Sequence, residues 1–432
     1  MGKISNQGTK SYPYAFSLAI QSMTARRFTT LLTILSIALS VALLVGVERV
    51  RQGARESFAH TISKTDLIVG ARGGTIQLLL YTVFRMGSAT GNISYGTYQK
   101  IRQLPEVAWT IPYSLGDSYR GFRVVGTNED FYKHYRYRSD RQPTFASGEA
   151  PKGVFDVALG HSVARKLHLN IGDKIALSHG VGEVSFQNHG DKPFRVVGIL
   201  DSTATPIDRS LYVTLEGLEA LHIDWKDGAP PMPGEELSPE DLTQRPLPVT
   251  QVTAFLLGAK SRMDVLRLQR ELNQWEEEPL MAVIPGVALS ELWEGISYAE
   301  DGLRVVSAFV VVVGLLGMLV SIYNSLAERR REMAILRSVG AGPALIVSLM
   351  VLESFLLTLC GLLLGVGLLY GILFVVQPIL DQQFGIYIPI TAPGVNELAY
   401  LATISVLSLI LGLVPAYRAY RNTLYDGLTI RL

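Results

Sequence analysis

Four long apolar stretches constrain this chain more than any other feature of its sequence. A bilayer crossing takes about 20 predominantly apolar residues. Stretches of this kind run over 28–47, 303–324, 343–376 and 398–417. A buried helix of a soluble core is the alternative for any single stretch, but four stretches bracketed by charge favour membrane spans. The sequence therefore predicts a membrane α-helical protein with four transmembrane helices.

The first stretch also resembles the apolar part of a cleaved signal peptide. The segment before it would then be 27 residues long, and no small-x-small cleavage site follows Val47. Both features argue against cleavage. We expect an uncleaved membrane anchor.

The distribution of Lys and Arg predicts the orientation, because short cytoplasmic segments carry an excess of both. The basic segments are 1–27, with Lys3, Lys10, Arg26 and Arg27; 325–342, with Arg329, Arg330, Arg331 and Arg337; and 418–432, with Arg418, Arg421 and Arg431. By contrast, residues 377–397 contain no Lys or Arg. We therefore expect both termini in the cytoplasm and residues 48–302 outside it.

Residues 48–302 have the pattern of an α+β domain rather than of further spans. Residues 48–63 and 289–304 have helical periodicity and would continue spans one and two as stalk helices. The pentapeptide FRVVG occurs at 122–126 and 194–198, and each copy is typical of a strand closed by glycine. Residues 249–257 are apolar enough for one buried strand. The predicted fold is thus four spans with an α+β extracytoplasmic domain inserted between the first two.

Local signals place several turns and helix starts within this domain. Ser261-Arg-Met-Asp264 resembles a capping box that opens a helix, and residues 94–104 form a second short helical pattern. The segment 226–248 is rich in Pro, Gly and acidic residues, which predicts a loop. These signals fix local elements but give no sheet order.

Composition and motifs argue against catalysis by this chain. The formal net charge is +1, so no nucleic-acid partner is expected. Cys360 is the only cysteine, which excludes an intrachain disulfide and a cysteine-rich metal site. The chain has no G-x-x-x-x-G-K-[ST] cradle for phosphates, and no G-x-S-x-G, H-E-x-x-H or C-x-x-C. We expect no catalytic residue and no cofactor in this chain.

Histidines in the predicted outer domain leave one question open. They are His161, His168, His179, His189 and His222. Imidazoles can bind a metal ion, but surface or hydrogen-bonded histidines are the more frequent outcome. We favour the second interpretation and predict no metal site.

The cytoplasmic segment between spans two and three is the most informative part of the sequence. It reads NSLAERRREMAILRSVGAG over 324–342, an amphipathic rod that ends at Gly340-Ala341-Gly342-Pro343. An anchor on lipid headgroups would need only the arginines. It would not explain the interleaved glutamates or the sharp Gly-Pro stop.

This segment resembles a motif of the MacB, LolC, LolE and FtsX family of ABC transporter permeases. The family motif is E-R-x-x-E-[IM]-x-[IL]-L-R-[AS]-[IV]-G-A, followed by a Glu in the next span. The matching residues here are Glu328, Arg329, Glu332, Met333, Ile335, Leu336, Arg337, Ser338, Val339, Gly340 and Ala341, and then Glu353. The resemblance implies that this is a coupling helix that inserts into a groove of a cytoplasmic ATPase.

The ends of the chain also resemble the family. Residues 15–39 are similar to its amphipathic cytoplasmic helix and first span. The run from Leu413 through Pro415 to Ala419 is similar to the P-A-x-x-A signature at the end of the fourth span. The tail departs from the family, because the usual L-D-P is replaced by Leu424-Tyr425-Asp426, without proline.

The resemblance implies both a domain plan and a set of partners. The plan is a cytoplasmic helix (1–27), span one (28–47), a MacB-like outer domain with stalks (48–302), span two (303–324), the coupling helix (325–342), span three (343–376), a short outer loop (377–397), span four (398–417) and a cytoplasmic tail (418–432). The partners are two copies of a separate ABC ATPase that holds ATP and Mg²⁺, and a second permease chain in a homodimer or a LolC/LolE-like heterodimer. Membrane lipid and a periplasmic protein are further candidate partners.

The implied function is mechanotransmission in the inner membrane of a bacterial cell. ATP hydrolysis by the partner would drive export or extraction of a lipoprotein, a peptide or an amphipathic substrate at the outer face. An FtsX-like regulator, which activates a cell-wall hydrolase and transports nothing, is the alternative. The predicted outer domain of about 250 residues is large for FtsX and favours the transport interpretation.

Overall fold

A computed structural model describes residues 12–59, 61–138, 140–180, 191–224, 237–328, 342–384, 388 and 390–425. The chain divides into two compact units. We call the first the membrane unit, and it comprises Met1–Gly53, Tyr298–Pro378 and Ile388–Leu432. We call the second the sheet domain, and it comprises Ala54–Ser297 and Ile379–Tyr387.

Two helices open the chain, α1 (Tyr12–Ala25) and α2 (Arg27–Ala59). At 1.5 Å per residue α2 is about 50 Å long, whereas the hydrocarbon core of a bilayer is about 30 Å thick. The first candidate span therefore continues without a break past Glu48. This confirms the helical continuation predicted for that stalk.

The sheet domain alternates short strands and helices. Its strands are β1 (Leu67–Ala71), β2 (Ile93–Ser94), β3 (Val107–Tyr119), β4 (Phe122–Thr127), β5 (Phe145–Gly148), β6 (Asp156–Leu159), β7 (Lys174–Ile175), β8 (Ser178–His179), β9 (Phe194–Leu200), β10 (Ser210–Thr214), β11 (Gln251–Val252), β12 (Ala254–Ala259) and β13 (Leu280–Val283). Its helices are α3 (Thr75–Thr82), α4 (Tyr95–Arg102), α5 (Asp130–His134), α6 (His161–Leu167), α7 (Leu215–His222), α8 (Pro239–Thr243) and α9 (Arg262–Asn273). A 3₁₀ turn covers Pro206–Arg209.

The main sheet runs in the order β13-β1-β12-β3-β4-β10-β6-β9-β5, with β7 on β9 and β8 on β3. Strand β1 lies between two antiparallel partners, so Ile68 faces Leu256 on one side and Val283 on the other. Alternate residues of β1 enter different cores: Ile68 packs with Tyr113, and Val69 packs with Phe255. Burial of apolar side chains on both faces stabilises the sheet by about 1.5–3 kcal/mol for each large residue.

The two FRVVG strands occupy equivalent positions in this sheet. Strand β4 pairs in parallel with β10, with Arg123 opposite Ser210, the first residue of β10. Strand β9 pairs in parallel with β6, with Arg195 opposite Asp156, the first residue of β6. Strands β10 and β6 are antiparallel neighbours, and each is followed by a helix. The repeated pentapeptide thus marks two related strand units.

Side-chain caps start the helices where the sequence predicted them. Ser261 accepts a hydrogen bond from Met263 N at the start of α9, and Ser94 accepts one from Thr97 N at the start of α4. Each bond satisfies a backbone N–H that lacks an intrahelical partner. Both predicted helices are confirmed.

Two local predictions differ from the structure. Residues 249–257 form two strands rather than one, because Thr253 separates β11 from β12 and accepts a hydrogen bond at Oγ1 from Leu115 N at 3.0 Å. The predicted loop 226–248 contains the one-turn helix α8, capped by Ser238. Residues 225–236 lie outside the described part of the chain.

Three long helices complete the chain: α10 (Pro285–Glu328), α11 (Pro343–Phe384) and α12 (Val395–Tyr425). Together with α2 they contain four segments that are long and apolar enough to cross a membrane. These are Arg27–Glu56, Pro285–Asn324, Val347–Ile379 and Val395–Tyr417. The predicted fold class, four membrane helices with an inserted α+β domain, is confirmed: an α/β sheet domain lies between the first two candidate spans in the chain.

Candidate functional site: polar links between the membrane helices

Small side chains let the helices of the membrane unit approach closely. A Cβ at Gly314 of α10 would lie 2.7 Å from Ser40 Oγ of α2, and that hydroxyl lies 3.1 Å from the Val310 carbonyl of α10. On the other side of α2, a Cβ at Gly365 of α11 would lie 2.7 Å from the Ala38 carbonyl. Small residues at helix contacts are the usual means of close packing in a membrane. Helix α2 is thus packed tightly against both α10 and α11.

A hydroxyl pair joins α11 to α12 within the same unit. Thr358 Oγ1 lies 2.7 Å from Ser408 Oγ, and both side chains are buried. Glu353, five residues before Thr358, is also buried, with 6% of its surface exposed. Polar groups of this kind are costly in an apolar environment and hold helices together where they find partners.

The strongest polar link is a buried ion pair between α2 and α12. Arg49 Nε lies 2.7 Å from Glu397 Oε1, and Arg49 Nη2 lies 2.7 Å from Oε2, so the pair is bidentate. The side chains are only 7% and 4% exposed. A bidentate guanidinium–carboxylate pair combines strong hydrogen bonding with a fixed geometry. This link therefore orients α2 and α12 as well as joining them.

Further contacts extend this link to α11 and to the chain before α12. Arg49 Nη1 donates to the Thr391 carbonyl at 2.9 Å, and Arg49 Nη2 donates to Tyr370 Oη at 3.0 Å. Glu397 Oε2 also accepts from Gly394 N at 3.0 Å, which caps the start of α12. One guanidinium thus connects three helices.

The residue before Arg49 makes the connection to the remaining helix. Glu48 is buried, its Oε1 lies 2.5 Å from Arg51 Nη2, and its Oε2 lies 3.7 Å from Arg304 Nη2 of α10. Arg51 in turn approaches Glu300 of α10 at 3.6 Å. Successive residues of a helix point about 100° apart, so Glu48 and Arg49 serve different neighbours. These two adjacent side chains of α2 contact all three of the other spanning helices.

The structure describes only part of the set of residues predicted from the sequence. Glu328 is the last residue of α10, and Glu353 and Pro415 are buried in α11 and α12. Pro415 lies inside α12, which continues to Tyr425. The other predicted coupling residues lie outside the described residues: Arg329, Glu332, Met333, Ile335, Leu336, Arg337, Gly340 and Ala341.

Sequence reasoning missed the pairing of Arg49 with Glu397. Glu48 and Glu397 were visible only as charges that bound spans one and four. One signal could have revealed the pair. Glu397 is an acidic residue directly before predicted span four, and the connection that contains it has no Lys or Arg to neutralise it. Arg49, two residues after predicted span one, is a basic residue at the same predicted side of the membrane. An ionisable residue at a membrane-buried position calls for a partner.

Two family models match consecutive parts of the chain. The model of the MacB-like periplasmic core domain matches residues 30–272, and the model of the FtsX-like permease C-terminal region matches residues 304–424. The first match alone covers more than half of the chain. The first match ends in α9 and the second begins within α10.

Individual relatives are distant but extend over most of the chain. The macrolide export ATP-binding/permease protein MacB of Shewanella sp. (strain ANA-3) is 23% identical over 449 residues, covering 96% of this chain and 60% of that protein. The lipoprotein-releasing system transmembrane protein LolC of Neisseria meningitidis serogroup B is 23% identical over 301 residues, covering 66% of this chain and 67% of that protein. The chain therefore spans about 60% of the length of the MacB relatives it matches.

One solved structure shows a weak likeness. The extracellular domain of the noncanonical ABC-type transporter YknZ from Gram-positive bacteria covers 51% of this chain with a TM-score of 0.30 and 10% identity. A score of this size does not establish a shared fold.

Proposed function

Because this chain belongs to the MacB, LolC and FtsX family of ABC-type permeases, we propose that it transmits ATP-driven motion across a bacterial inner membrane. The motion would reach the sheet domain and would export or extract a lipoprotein, a peptide or an amphipathic molecule at the outer face. The observation that carries this proposal is the double link at Glu48 and Arg49. Because Glu48 and Arg49 of α2 contact α10, α11 and α12, movement of α2 would also displace those three helices.

The continuity of α2 and α10 supports transmission of motion over distance. Helix α2 continues from the predicted span 28–47 to Ala59, and α10 runs from Pro285 through the predicted span 303–324, each without a break. Under this proposal, displacement of these two spans is carried along the same helices. Close packing of α2 at Gly314 and Gly365 favours movement of helices as packed bodies over passage of a substrate between them.

Under this proposal the motion originates at a separate cytoplasmic ABC ATPase, which binds ATP and Mg²⁺. The segment from Glu328 to Ala341 would dock into the ATPase, with Glu332 as a charged contact and Leu336 as an apolar anchor. Two ATPase copies and two permease chains would complete the assembly. Both termini would then be cytoplasmic and residues 48–302 would be outside.

Purification of the tagged chain from its native membranes tests this proposal. We expect an ABC ATPase to copurify and to be identified by mass spectrometry. Glu332→Lys and Leu336→Asp should each weaken its binding about 30-fold or more and so lower its recovery, because loss of a central interface contact costs about 2 kcal/mol or more. One-sided disruption of a desolvated charge pair costs about 2–5 kcal/mol.

Arg330→Ala is the matched control, because Arg330 occupies a variable position of the family motif. If the segment docks into the ATPase, we expect Arg330→Ala to recover as much ATPase as the wild type. If the segment instead only anchors the chain to lipid headgroups, Arg330→Ala should impair membrane topology, while Glu332→Lys and Leu336→Asp keep the ATPase. Full ATPase recovery in both of the latter variants would refute the docking assignment.

A further inference from the structure

Three side chains of the sheet domain converge on one point at its surface. Asp117 lies on β3 and His179 lies opposite it on β8, while His222 is the last residue of α7. His179 Nδ1 is 3.2 Å from Asp117 Oδ1, and His222 Nε2 is 3.2 Å from His179 Nδ1 and 3.6 Å from Asp117 Oδ1. Three elements distant in sequence thus bring two ring nitrogens and one carboxylate oxygen together.

We propose that Asp117, His179 and His222 form a zinc-binding site. Zinc binds imidazole nitrogen at about 2.0–2.1 Å and carboxylate oxygen at about 2.0–2.2 Å with tetrahedral geometry. The edges of such a tetrahedron are about 3.3–3.5 Å long. The three distances in the cluster, 3.2, 3.2 and 3.6 Å, lie within about 0.1 Å of these edges, so one ion can reach all three atoms with little movement. Two imidazoles and a carboxylate are also a ligand set that borderline transition metals prefer over Mg²⁺ or Ca²⁺.

The hydrogen bond behind His222 prepares that residue to be a ligand. His222 Nδ1 lies 3.2 Å from the Leu218 carbonyl, one turn back in α7. A carbonyl can only accept, so Nδ1 carries the proton, and in the neutral ring Nε2 presents its lone pair to the cluster. Metal-binding histidines usually have such a partner at the second nitrogen, which fixes both tautomer and ring orientation.

Burial and exposure around the cluster also suit a bound cation. The Asp117 side chain is 3% exposed, and buried charges in proteins are paired or coordinate metals. The His179 and His222 side chains are 51% and 29% exposed, so the cluster is accessible from solvent. A register shift between Leu115 and Ser118 places Asp117 in an irregular part of β3, where bulges re-aim side chains.

The alternative occupant of the cluster is a proton. The hydrogen bond with Asp117 raises the pKa of His179. A proton on His179 Nδ1 could then be shared between Asp117 Oδ1 and His222 Nε2. A shared proton and a zinc ion use the same three atoms, so the two states are exclusive and can be distinguished by experiment.

The experiment uses the full chain, purified in detergent without a polyhistidine tag and stripped of metal by a chelator. Zn²⁺ is titrated against a chromogenic competitor, and Co²⁺ is added separately to detect the visible absorption of a tetrahedral site. We expect one zinc ion per chain with a Kd in the micromolar range or below. His179→Ala and His222→Ala should each weaken binding more than 10-fold, because loss of even a supporting group around a metal costs about 10- to 100-fold.

His168→Asn is the matched control. His168 is the residue that follows α6 in the same domain, and it is exposed. Its left-handed backbone conformation, with φ 53°, is one that asparagine tolerates. Zinc affinity in this variant should equal that of the wild type.

Intrinsic fluorescence gives a second readout in the intact chain. The four tryptophans, at positions 109, 225, 275 and 293, lie between the predicted spans 28–47 and 303–324. Saturating zinc should raise the unfolding midpoint by about 5 °C or more in wild type and in His168→Asn, but not in His222→Ala. If zinc does not bind, or binds equally well to His179→Ala and His222→Ala, the proposal is wrong. These outcomes do not depend on the proposed transport role.

Discussion

At the scale of single residues, the pairing of Arg49 with Glu397 is the most consequential interaction in the membrane unit. Removing two charges from water is costly, and the bidentate contact at 2.7 Å offsets that cost only while both partners remain. Contacts from Arg49 to Tyr370 and Thr391 add hydrogen bonds that a lysine could not reproduce. The pair should therefore fix the orientation of α2 relative to α12, while adding little net stability over an apolar pair at the same positions.

Glu397→Ala tests this interpretation. It leaves the Arg49 guanidinium buried without its carboxylate and should lower the free energy of unfolding by about 3–5 kcal/mol. Replacing both residues, Arg49→Met with Glu397→Leu, should restore most of that loss. The measurement is equilibrium unfolding in mixed micelles, followed by the helical circular dichroism signal.

Asp301→Ala provides the control for that measurement. Asp301 forms an ion pair with Arg304 at 2.9 Å, but its side chain is 65% exposed, so its removal should cost less than about 1 kcal/mol. Equal losses in Glu397→Ala and Asp301→Ala would show that the Arg49 pair is as weak as a surface contact.

Residue-level interactions were also where sequence analysis reached its limit. The charges at positions 48, 49 and 397 are visible in the sequence, but 348 residues separate Arg49 from its partner. Periodicity predicts which face of one helix is apolar, and it does not predict which helix will cover that face. For the same reason, the sequence places His179 and His222 in one domain, but it does not predict that both contact Asp117.

At the scale of elements, helix α2 depends on glycines in its neighbours. Gly365 and Gly367 lie two residues apart on α11, but only Gly365 is at the contact. A Cβ at Gly365 would lie 2.7 Å from the Ala38 carbonyl and 2.9 Å from Val41 Cβ, whereas a Cβ at Gly367 would meet nothing within 4 Å. The two positions therefore form a matched pair.

Gly365→Val should separate α2 from α11 and lower the free energy of unfolding by about 1–3 kcal/mol, the usual cost of overpacking. Gly367→Val should change it by a few tenths of a kcal/mol. If close contact of these helices also carries the transmitted motion, Gly365→Val should reduce transport at unchanged ATPase recovery. Equal stability of the two variants would contradict the close approach of α2 and α11.

Local elements of the sheet domain were predicted more successfully than their arrangement. Both FRVVG strands and the capped starts of α4 and α9 follow from residues within a few positions of each other. The sheet order does not, because β1 lies between β12 and β13, which come about 190 and about 210 residues later. Long-range pairing depends on the fit of side chains across strands, which a single sequence does not display.

At the scale of the whole molecule, the membrane explains why the fold class could be predicted. A helix that crosses a bilayer must satisfy its backbone internally and present apolar side chains over about 20 residues. That requirement leaves a strong pattern in the sequence, and the four candidate spans follow it. The orientation of the spans leaves a weaker pattern, which is the distribution of Lys and Arg over the short connecting segments. The orientation therefore remains a prediction.

Cysteine labelling of whole cells tests the orientation. Cys360 is the only cysteine, so Cys360→Ala gives a background without thiols. Met263→Cys then places one thiol on α9, at a side chain that is 88% exposed, and Ser5→Cys places one in the basic N-terminal segment.

A membrane-impermeant maleimide should label the Met263→Cys chain in cells whose outer barrier has been permeabilised. It should label the Ser5→Cys chain only after lysis, because the Lys and Arg before span one keep that segment in the cytoplasm. The opposite labelling pattern would reverse the topology, and the segment from Glu328 to Ala341 could then not reach a cytoplasmic ATPase.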